Sequence, residues 1–193
     1  MGAPPRVGLL LPLHWQAVTL LLGAVVSGAE VVVATRPQGL AGCGAAFTTA
    51  EQAGAVSDAG VDEVLAVSCA PLGGRLAGLP PLVLDAGVEL PGHGDVWTGP
   101  AARSWRVFSG ATPVPAARTG LGPDDRVLTV LPPGDPDGLA LGLLAPLQAG
   151  AALLLCPSGV PAADVLAAEG VTACVGVDLP GVRRLDPQCA TSP

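Results

Sequence analysis

The sequence predicts an α/β fold: two βαβ-type units with mainly parallel sheets covered by helices. Three observations predict it. The chain repeats itself. Arg6-Val7 opens an apolar run ending in Leu11-Pro12, then come an apolar helix, Gly28-Ala29 and Val31-Val32-Val33; Arg126-Val127 opens a run ending in Leu131-Pro132, then an apolar helix, Gly150-Ala151 and Leu153-Leu154-Leu155. From Arg to the Gly of Gly-Ala is 22 positions in the first copy and 24 in the second, the scale of one strand plus one helix. Half of the residues are hydrophobic and 13% charged, so most elements are expected to be buried on more than one face. Strand-like runs also alternate with helical ones, the signature of a parallel sheet.

Four segments follow from this reading: a first α/β unit over residues 1–68, a Pro/Gly-rich connection over 69–119, a second α/β unit over 120–178 and a frayed tail over 179–193. In the first, residues 6–11 form a strand stopped by Pro12. Residues 14–27 form a helix that is apolar on nearly every face and ends at Gly28. Residues 31–34 and 45–47 are strands. Thr48 and Glu51 have the spacing of a capping box, opening a helix that stops at Gly60; residues 64–67 are the next strand.

The connection is punctuated by Pro71, Gly73-Gly74, Pro80-Pro81, Pro91-Gly92 and Gly99-Pro100. Continuous helix is excluded there, and short strands such as 82–84 fit. His93, Trp97 and Trp105 are candidates for a pocket rim. His93, two residues before Asp95, could serve as a general base, but a surface-loop histidine is the preferred reading.

In the second unit residues 126–131 are a strand, 138–149 a helix kinked near Pro146, and 151–156 a strand. Pro161 suits a first helical turn, Asp164 its positive end and Gly170 its close. Residues 171–175 are the last strand.

Composition removes several classes of function. A net charge of −7 opposes nucleic-acid binding, which demands a basic face. All nine basic residues are Arg, with no Lys and no Tyr; chemistry that requires a lysine amine is closed to the chain acting alone. Gly 27 and Pro 21 approach low-complexity levels, yet the apolar runs are too regular for disorder. Cys43, Cys69, Cys156, Cys174 and Cys189 are odd in number and lack C-x-x-C spacing, so reduced, structural thiols are expected rather than disulfides or zinc. Residues 138–156 carry no charge, but Pro146, Gln148 and Gly150 interrupt them, so they read as buried helix plus strand and not as a membrane span. With no secretory leader pattern ahead of the first strand, a cytoplasmic location is the expectation. The sequence has no G-x-G-x-x-G after a strand, no P-loop, no G-x-S-x-G and no H-E-x-x-H.

One degenerate motif remains. Ser109-Gly110-Ala111-Thr112-Pro113-Val114-Pro115-Ala116 resembles the phosphate-gripping loop S-G-T-T-G-x-P-K of the adenylate-forming enzymes, the AMP-dependent synthetase and ligase superfamily. Ser109, Gly110, Thr112 and Pro115 agree with it. The neighbourhood agrees too. Arg6-Val7, Leu9-Leu10-Leu11-Pro12 and Gly28-Ala29 look like the superfamily's early "RVALLLP…AGA" segment. Asp124-Asp125-Arg126-Val127-Leu128, Gly138-Leu139, Pro146-Leu147, Gly150-Ala151, Val171-Thr172 and Gly176-Val177 look like the segment after the loop. The resemblance spans residues 6–177, implies part of that superfamily's N-terminal domain, and is strongest to a shortened branch found in high-GC bacteria.

The resemblance implies ATP or AMP with Mg²⁺ as ligand, Ser109, Gly110 and Thr112 as the phosphate-binding residues, and an acid-activating ligase reaction. The departures oppose this. Pro113 replaces Gly and removes an N–H; Ala116 replaces Lys; Asp135 in Gly134-Asp135 replaces the histidine of the family's aromatic-His element. The family's adenine- and metal-binding motifs and its lysine-bearing C-terminal domain have no counterpart here. Arg103, Arg106 and Arg118 flank the loop as the cations available to compensate. Transfer to a pyrophosphate leaving group is catalysed almost wholly by placed cations and donors. The first expectation is therefore a pseudoenzyme, with no catalytic residue and no metal ligand, that binds a protein partner along an open sheet edge. The second is an ATP-dependent ligase with Arg in place of Lys and a complementing partner chain. The third is an incomplete gene product without independent function.

Overall fold

A computed structural model describes residues 4–94, 96, 98–99, 104–115, 117–161 and 163–186. The chain divides into two units, Met1–Leu11 with Gln16–Pro113 and Pro12–Trp15 with Val114–Pro193.

The first unit is built on a seven-stranded sheet. Its strands are β1 (Arg6–Leu10), β2 (Glu30–Val33), β3 (Ala45–Thr49), β4 (Glu63–Val67), β5 (Val83–Asp85), β6 (Arg106–Ser109) and β7 (Thr112–Pro113), in the order β5-β4-β3-β1-β2-β6-β7. All pairs are parallel except β6 with β7. Helix α1 (Trp15–Val26) links β1 to β2, and α2 (Ala50–Asp58) links β3 to β4. α1 buries Ala17, Leu21 and Val25, the i, i+4, i+8 stripe of a helix laid on apolar neighbours. α2 buries Ala53 and Val56 in a core with Val32, Leu40, Ala46 and Val64. Gly8 is required on β1: a Cβ there would lie 2.8 Å from Leu40 Cδ2 and 3.1 Å from Ala46 Cβ.

The second unit holds β8 (Arg126–Thr129), β9 (Ala152–Leu155), β10 (Ala173–Val175) and β11 (Arg183–Arg184), all parallel, in the order β11-β10-β8-β9. This is the order β4-β3-β1-β2 of the first sheet, so the repeat read in the sequence extends to four strands. Val127, Leu141, Ala173, Val175 and Leu185 form its core.

The repeated Gly-Ala step has a shared geometry. Gly28 (φ 85) donates its N–H to the Val25 carbonyl while Ala29 N–H reaches back to Ala24; Gly150 (φ 72) donates to Leu147 while Ala151 reaches Pro146. Both are Schellman closures, which need a left-handed residue after the helix and therefore favour glycine. Gly170 (φ 61) ends α5 (Ala163–Glu169) in the same way.

Four details differ from the sequence reading. The cap of α2 is Thr49, not Thr48: Thr48 is buried in β3 and its hydroxyl donates to the Leu10 carbonyl at 3.2 Å. The Thr49 hydroxyl and the backbone hold Glu51 below the usual carboxylate range. The helix expected to kink at Pro146 is instead a π-helical stretch, Gly138–Leu144, running into α4 (Ala145–Ala149). Pro146 has no N–H for an i−4 bond, and widening the preceding turns accommodates that loss. The connection is also more regular than expected. It supplies β5, a four-residue helix α3 (Ala86–Glu89), β6 and β7 to the first unit. Leu82 is not in a strand but in a turn closed by Val83 N–H to the Pro80 carbonyl, at φ 67 and 94% exposed, a backbone conformation costly for leucine. Finally, the stretch 179–186, expected to fray, carries β11. Arg183 N–H bonds the Thr172 carbonyl, Leu185 N–H bonds Cys174, and Leu185 is buried; the open edge of β10 and an apolar cavity wall hold it in place. Cys189 lies outside the described residues.

At the base of the second sheet, Asp125 ties three elements. It accepts from the Thr172 hydroxyl at 2.6 Å and from Gly122 N–H at 2.9 Å, and Arg183 stands 3.6 Å away. The Thr172 bond first and then the Gly122 N–H lower its pKa; desolvation opposes them, and the Arg183 charge adds the smallest lowering. A carboxyl whose folded pKa is depressed stabilises the fold above its unfolded pKa and loses that contribution as pH falls through the folded value. Asp125→Asn should therefore lower stability at neutral pH and flatten the acid limb of a stability-against-pH profile below the usual aspartate range. An unchanged acid limb in urea titrations would show that solvent screens the cluster.

Candidate functional site

Open parallel sheets bind ligands beyond the C-terminal ends of their strands. The loop singled out in the sequence sits at such an end. β6 runs parallel to β2 with Glu30 opposite Arg106 and Val33 opposite Ser109. The chain then reverses through Gly110-Ala111, and β7 returns antiparallel with Thr112 opposite Ser109 and Pro113 opposite Phe108. A two-residue hairpin needs positive φ at its first central position, and Gly110 has φ 57. Ser109 and Gly110 are half-buried, whereas Ala111, Thr112 and Pro113 are exposed.

The structure thus brings Ser109, Gly110 and Thr112 into one tight hairpin, but their donors are unequal. The Gly110 N–H already donates to the Val33 carbonyl at 2.9 Å. Pro113 has no N–H, and in its register that missing donor faces the outer side of the sheet. The Ser109 and Thr112 hydroxyls hold no partner among the described residues. Arg106 is the one loop-flanking arginine described in this unit. Arg106 is ion-paired with Glu30 and stands at the opposite end of β6, about 10 Å from Ser109 at the rise of a strand. Arg118 is exposed in the second unit. Arg103 and Ala116 lie outside the described residues. A triphosphate with its Mg²⁺ carries several negative charges; with the Gly110 donor and the Arg106 cation both engaged, these hairpin residues do not fit that group.

The other candidates have structural work. Asp135 accepts from Asp137 N–H and Gly138 N–H, both at 2.9 Å, and so caps the π-helical stretch where the resemblance implies a histidine. His93 is exposed, follows a 3-10 turn (Leu90–Gly92) and closes it with its N–H on the Leu90 carbonyl. Trp105 is half-buried; Asp95 and Trp97 lie outside the described residues. Asp85, not singled out in the sequence, accepts from Leu76 N–H at 2.8 Å and Gly87 N–H at 2.9 Å. Its only sequence signal is an acidic residue two positions before a glycine.

The four described thiols are shifted toward their protonated form. Burial pushes Cys43, Cys69, Cys156 and Cys174 upward; the Glu51 charge adds to this at Cys69, and the Arg6 cation opposes it at Cys43. Protonated thiols are poor nucleophiles and metal ligands. Among the described residues no group of three or more His, Cys, Asp or Glu side chains could hold a metal ion. No helix among them is long and apolar enough to cross a membrane. A cavity of about 460 Å³ in the second unit is lined by Ala163, Leu166, Ala167, Gly170, Val171, Leu179, Pro180 and Val182, with no titratable side chain to do chemistry.

No family model matches the chain. A TIGR03089 family protein of Mycobacterium tuberculosis (strain ATCC 25618 / H37Rv) is 37% identical over 169 residues, covering 83% of this chain and 69% of that protein. The chain belongs to the TIGR03089 family. Its fold is that of the N-terminal part of acyl-CoA ligases. The acyl-CoA synthetase of Brucella canis superposes with a TM-score of 0.68 at 21% identity over 91% of this chain. The anthranilate CoA ligase AuaEII, solved in complex with anthranoyl-AMP, gives 0.62 at 19% over 91%, and a benzoate CoA ligase from Burkholderia xenovorans LB400 gives 0.54 at 19% over 90%. This TIGR03089 family chain spans 38%, 39% and 40% of those three ligases. At such identities the likeness establishes the fold alone.

Proposed function

We propose that this TIGR03089 family chain is a non-catalytic relative of the adenylate-forming ligases that acts as a binding or interaction module, a pseudoenzyme with a cytoplasmic location. The observation that carries the reading is the state of the phosphate-loop equivalent: its glycine N–H is held by Val33, Pro113 stands without an N–H where the motif has glycine, and Arg106 is paired with Glu30 at the far end of the strand. Electrostatic stabilisation of a leaving pyrophosphate needs donors and cations aimed at the developing charge, and the Gly110 N–H and Arg106 are both engaged elsewhere.

The fold itself favours the second reading, an ATP-dependent acid-activating ligase completed by a partner chain. Thermal unfolding with and without millimolar Mg²⁺ and ATP or AMP separates the two. A ligand at a hundredfold over its Kd adds about 2.7 kcal/mol to the native state, a shift of several degrees for a domain of this size. The melt is expected to be cooperative and unmoved by nucleotide. A nucleotide-dependent rise would overturn the proposal and restore Ser109, Gly110 and Thr112 as a phosphate site.

A further inference from the structure

The four sheet edges are not treated alike. β7 is two residues long and ends in Pro113. β5 is flanked by the chain around residues 74–76, with Leu76 N–H on the Asp85 carboxylate and the Gly74 carbonyl 2.6 Å from where a Gly87 Cβ would lie. β11 is Arg183-Arg184, with Arg183 near Asp125 and Arg184 paired to Asp178 and Asp186. Proline, cover and charge are the ordinary defences of an edge strand. Among the described residues of its unit, β9 has none of them. It is Ala-Leu-Leu-Leu, it ends its sheet, and its three leucines are half-exposed.

Among the described residues the open side of the β9 backbone has no hydrogen-bond partner. Ala152 N–H donates to the Asp125 carbonyl at 2.9 Å and Cys156 N–H to Thr129 at 3.0 Å. In a parallel pair a residue's N–H and C=O face the same neighbour, so 152, 154 and 156 face β8, while Leu153 and Leu155 turn both groups to the open side. We infer that this edge pairs with β9 of a second copy, antiparallel about a two-fold axis at Leu154. Leu153 of each chain then exchanges both hydrogen bonds with Leu155 of the other, and two four-stranded sheets become one of eight strands.

Two features favour a second copy as the occupant. An isologous contact must be self-complementary, and a run of uncharged aliphatic residues with two outward-facing positions placed evenly about Leu154 meets that requirement. Each chain also carries a net charge of −7, yet residues 138–163 contain no charged residue, so two copies meet at this edge without like charges opposed. The inference deepens the reading of the chain as an interaction module and rests on it.

The register makes the test specific. Ala152 is exposed and lies opposite Cys156 of the second copy as a non-hydrogen-bonded pair, about 4.5 Å between Cα atoms, inside the span a disulfide bridges. Purified Ala152→Cys, oxidised with glutathione disulfide at low protein concentration, is expected to give a covalent dimer whose linked peptides join position 152 to position 156. The dimer should vanish when Cys156→Ala is added. In the unaltered chain, sedimentation should show a mass rising toward two chains with concentration, and the amides of Leu153 and Leu155 should exchange more slowly as it rises. A single-chain mass at every concentration, with no Cys156-dependent crosslink, overturns the inference. The nucleotide melt is independent of this result, so the failure of either reading is recognised separately.

Discussion

Gly176→Val should be among the most damaging single substitutions in the second unit. Gly176 follows β10 at φ 78, and a Cβ there would lie 2.5 Å from Leu131 Cγ, 2.8 Å from its Cδ2 and 3.1 Å from Val130 Cγ2. Two costs add. A β-branched residue at positive φ costs about 1–2 kcal/mol, and forcing carbon into a filled contact costs about 1–3 kcal/mol. The expected loss is about 2–5 kcal/mol, a large share of the stability of a small domain. Gly181→Val separates the two costs, because Gly181 has φ 75 with nothing within 4 Å of its Cβ position. That variant should lose the backbone cost alone. Urea denaturation of both variants decides the matter: equal losses would mean that Leu131 yields and that the loop after β10 is not packed against it.

This close approach bears on function as well as stability. In a parallel α/β sheet the loops that follow the first and third strands of a unit part at the switch point, and the crevice between them receives the ligand. In the second unit those loops follow β8 and β10. Here Leu131, just past β8, lies against Gly176, just past β10. The two loops are thus closely packed at the position where a ligand crevice would open, in keeping with the proposal that the fold is kept for contact and not for chemistry.

The repeat was legible because its signals are strong and local. Arg-Val at a strand start and Gly-Ala at a helix end need no tertiary context, and the two Schellman closures at Gly28 and Gly150 are the physical content of that echo. Strand order was not read from the sequence; the shared order of the two units is seen only in the structure. What escaped was short, or was settled by contacts from elsewhere in the chain. Thr48 and Thr49 are equally good caps by sequence; burial of Thr48 in β3 decides between them. β6 and β7 hide in a stretch whose prolines and glycines read as loop, although Pro113 suits an edge. β11 is two arginines, polar by composition and a strand only because β10 offers a free edge. The π-helical turns of 138–144 were invisible because nearly every residue there is buried, so no period distinguishes π from α. At the candidate site the hairpin residues were legible from the motif, whereas the loss of the Gly110 donor to Val33 was not, since it depends on how the turn sits against the end of β2.

The second large effect is expected at the contact between that π-helical stretch and β8. In an exposed helix Gly→Ala stabilises by about 1 kcal/mol; at Gly142 the sign should reverse. A Cβ there would stand 2.6 Å from Thr129 Oγ1 and 3.2 Å from Thr129 Cβ. Thr129 is fully buried, and its Oγ1 accepts from Leu131 N–H at 3.3 Å. Gly142→Ala therefore pushes the hydroxyl from its place and loosens the hydrogen bond that turns the chain after β8. The expected loss is about 2–4 kcal/mol, combining overpacking with a buried donor left unpaired. Thr129→Ala alone strands the same Leu131 N–H and should cost about 1–3 kcal/mol. The double variant should lose clearly less than the sum of the two, because removing the hydroxyl makes room for the new methyl while the donor can be stranded only once. A coupling of about 1–2 kcal/mol in a double-mutant cycle is expected for residues in direct contact. Strict additivity would place the two side chains apart, and a stabilising Gly142→Ala would mean that the helix stands off β8 far enough to accept a methyl, leaving the backbone hydrogen-bond pattern, not close packing, to hold the π-helical turns.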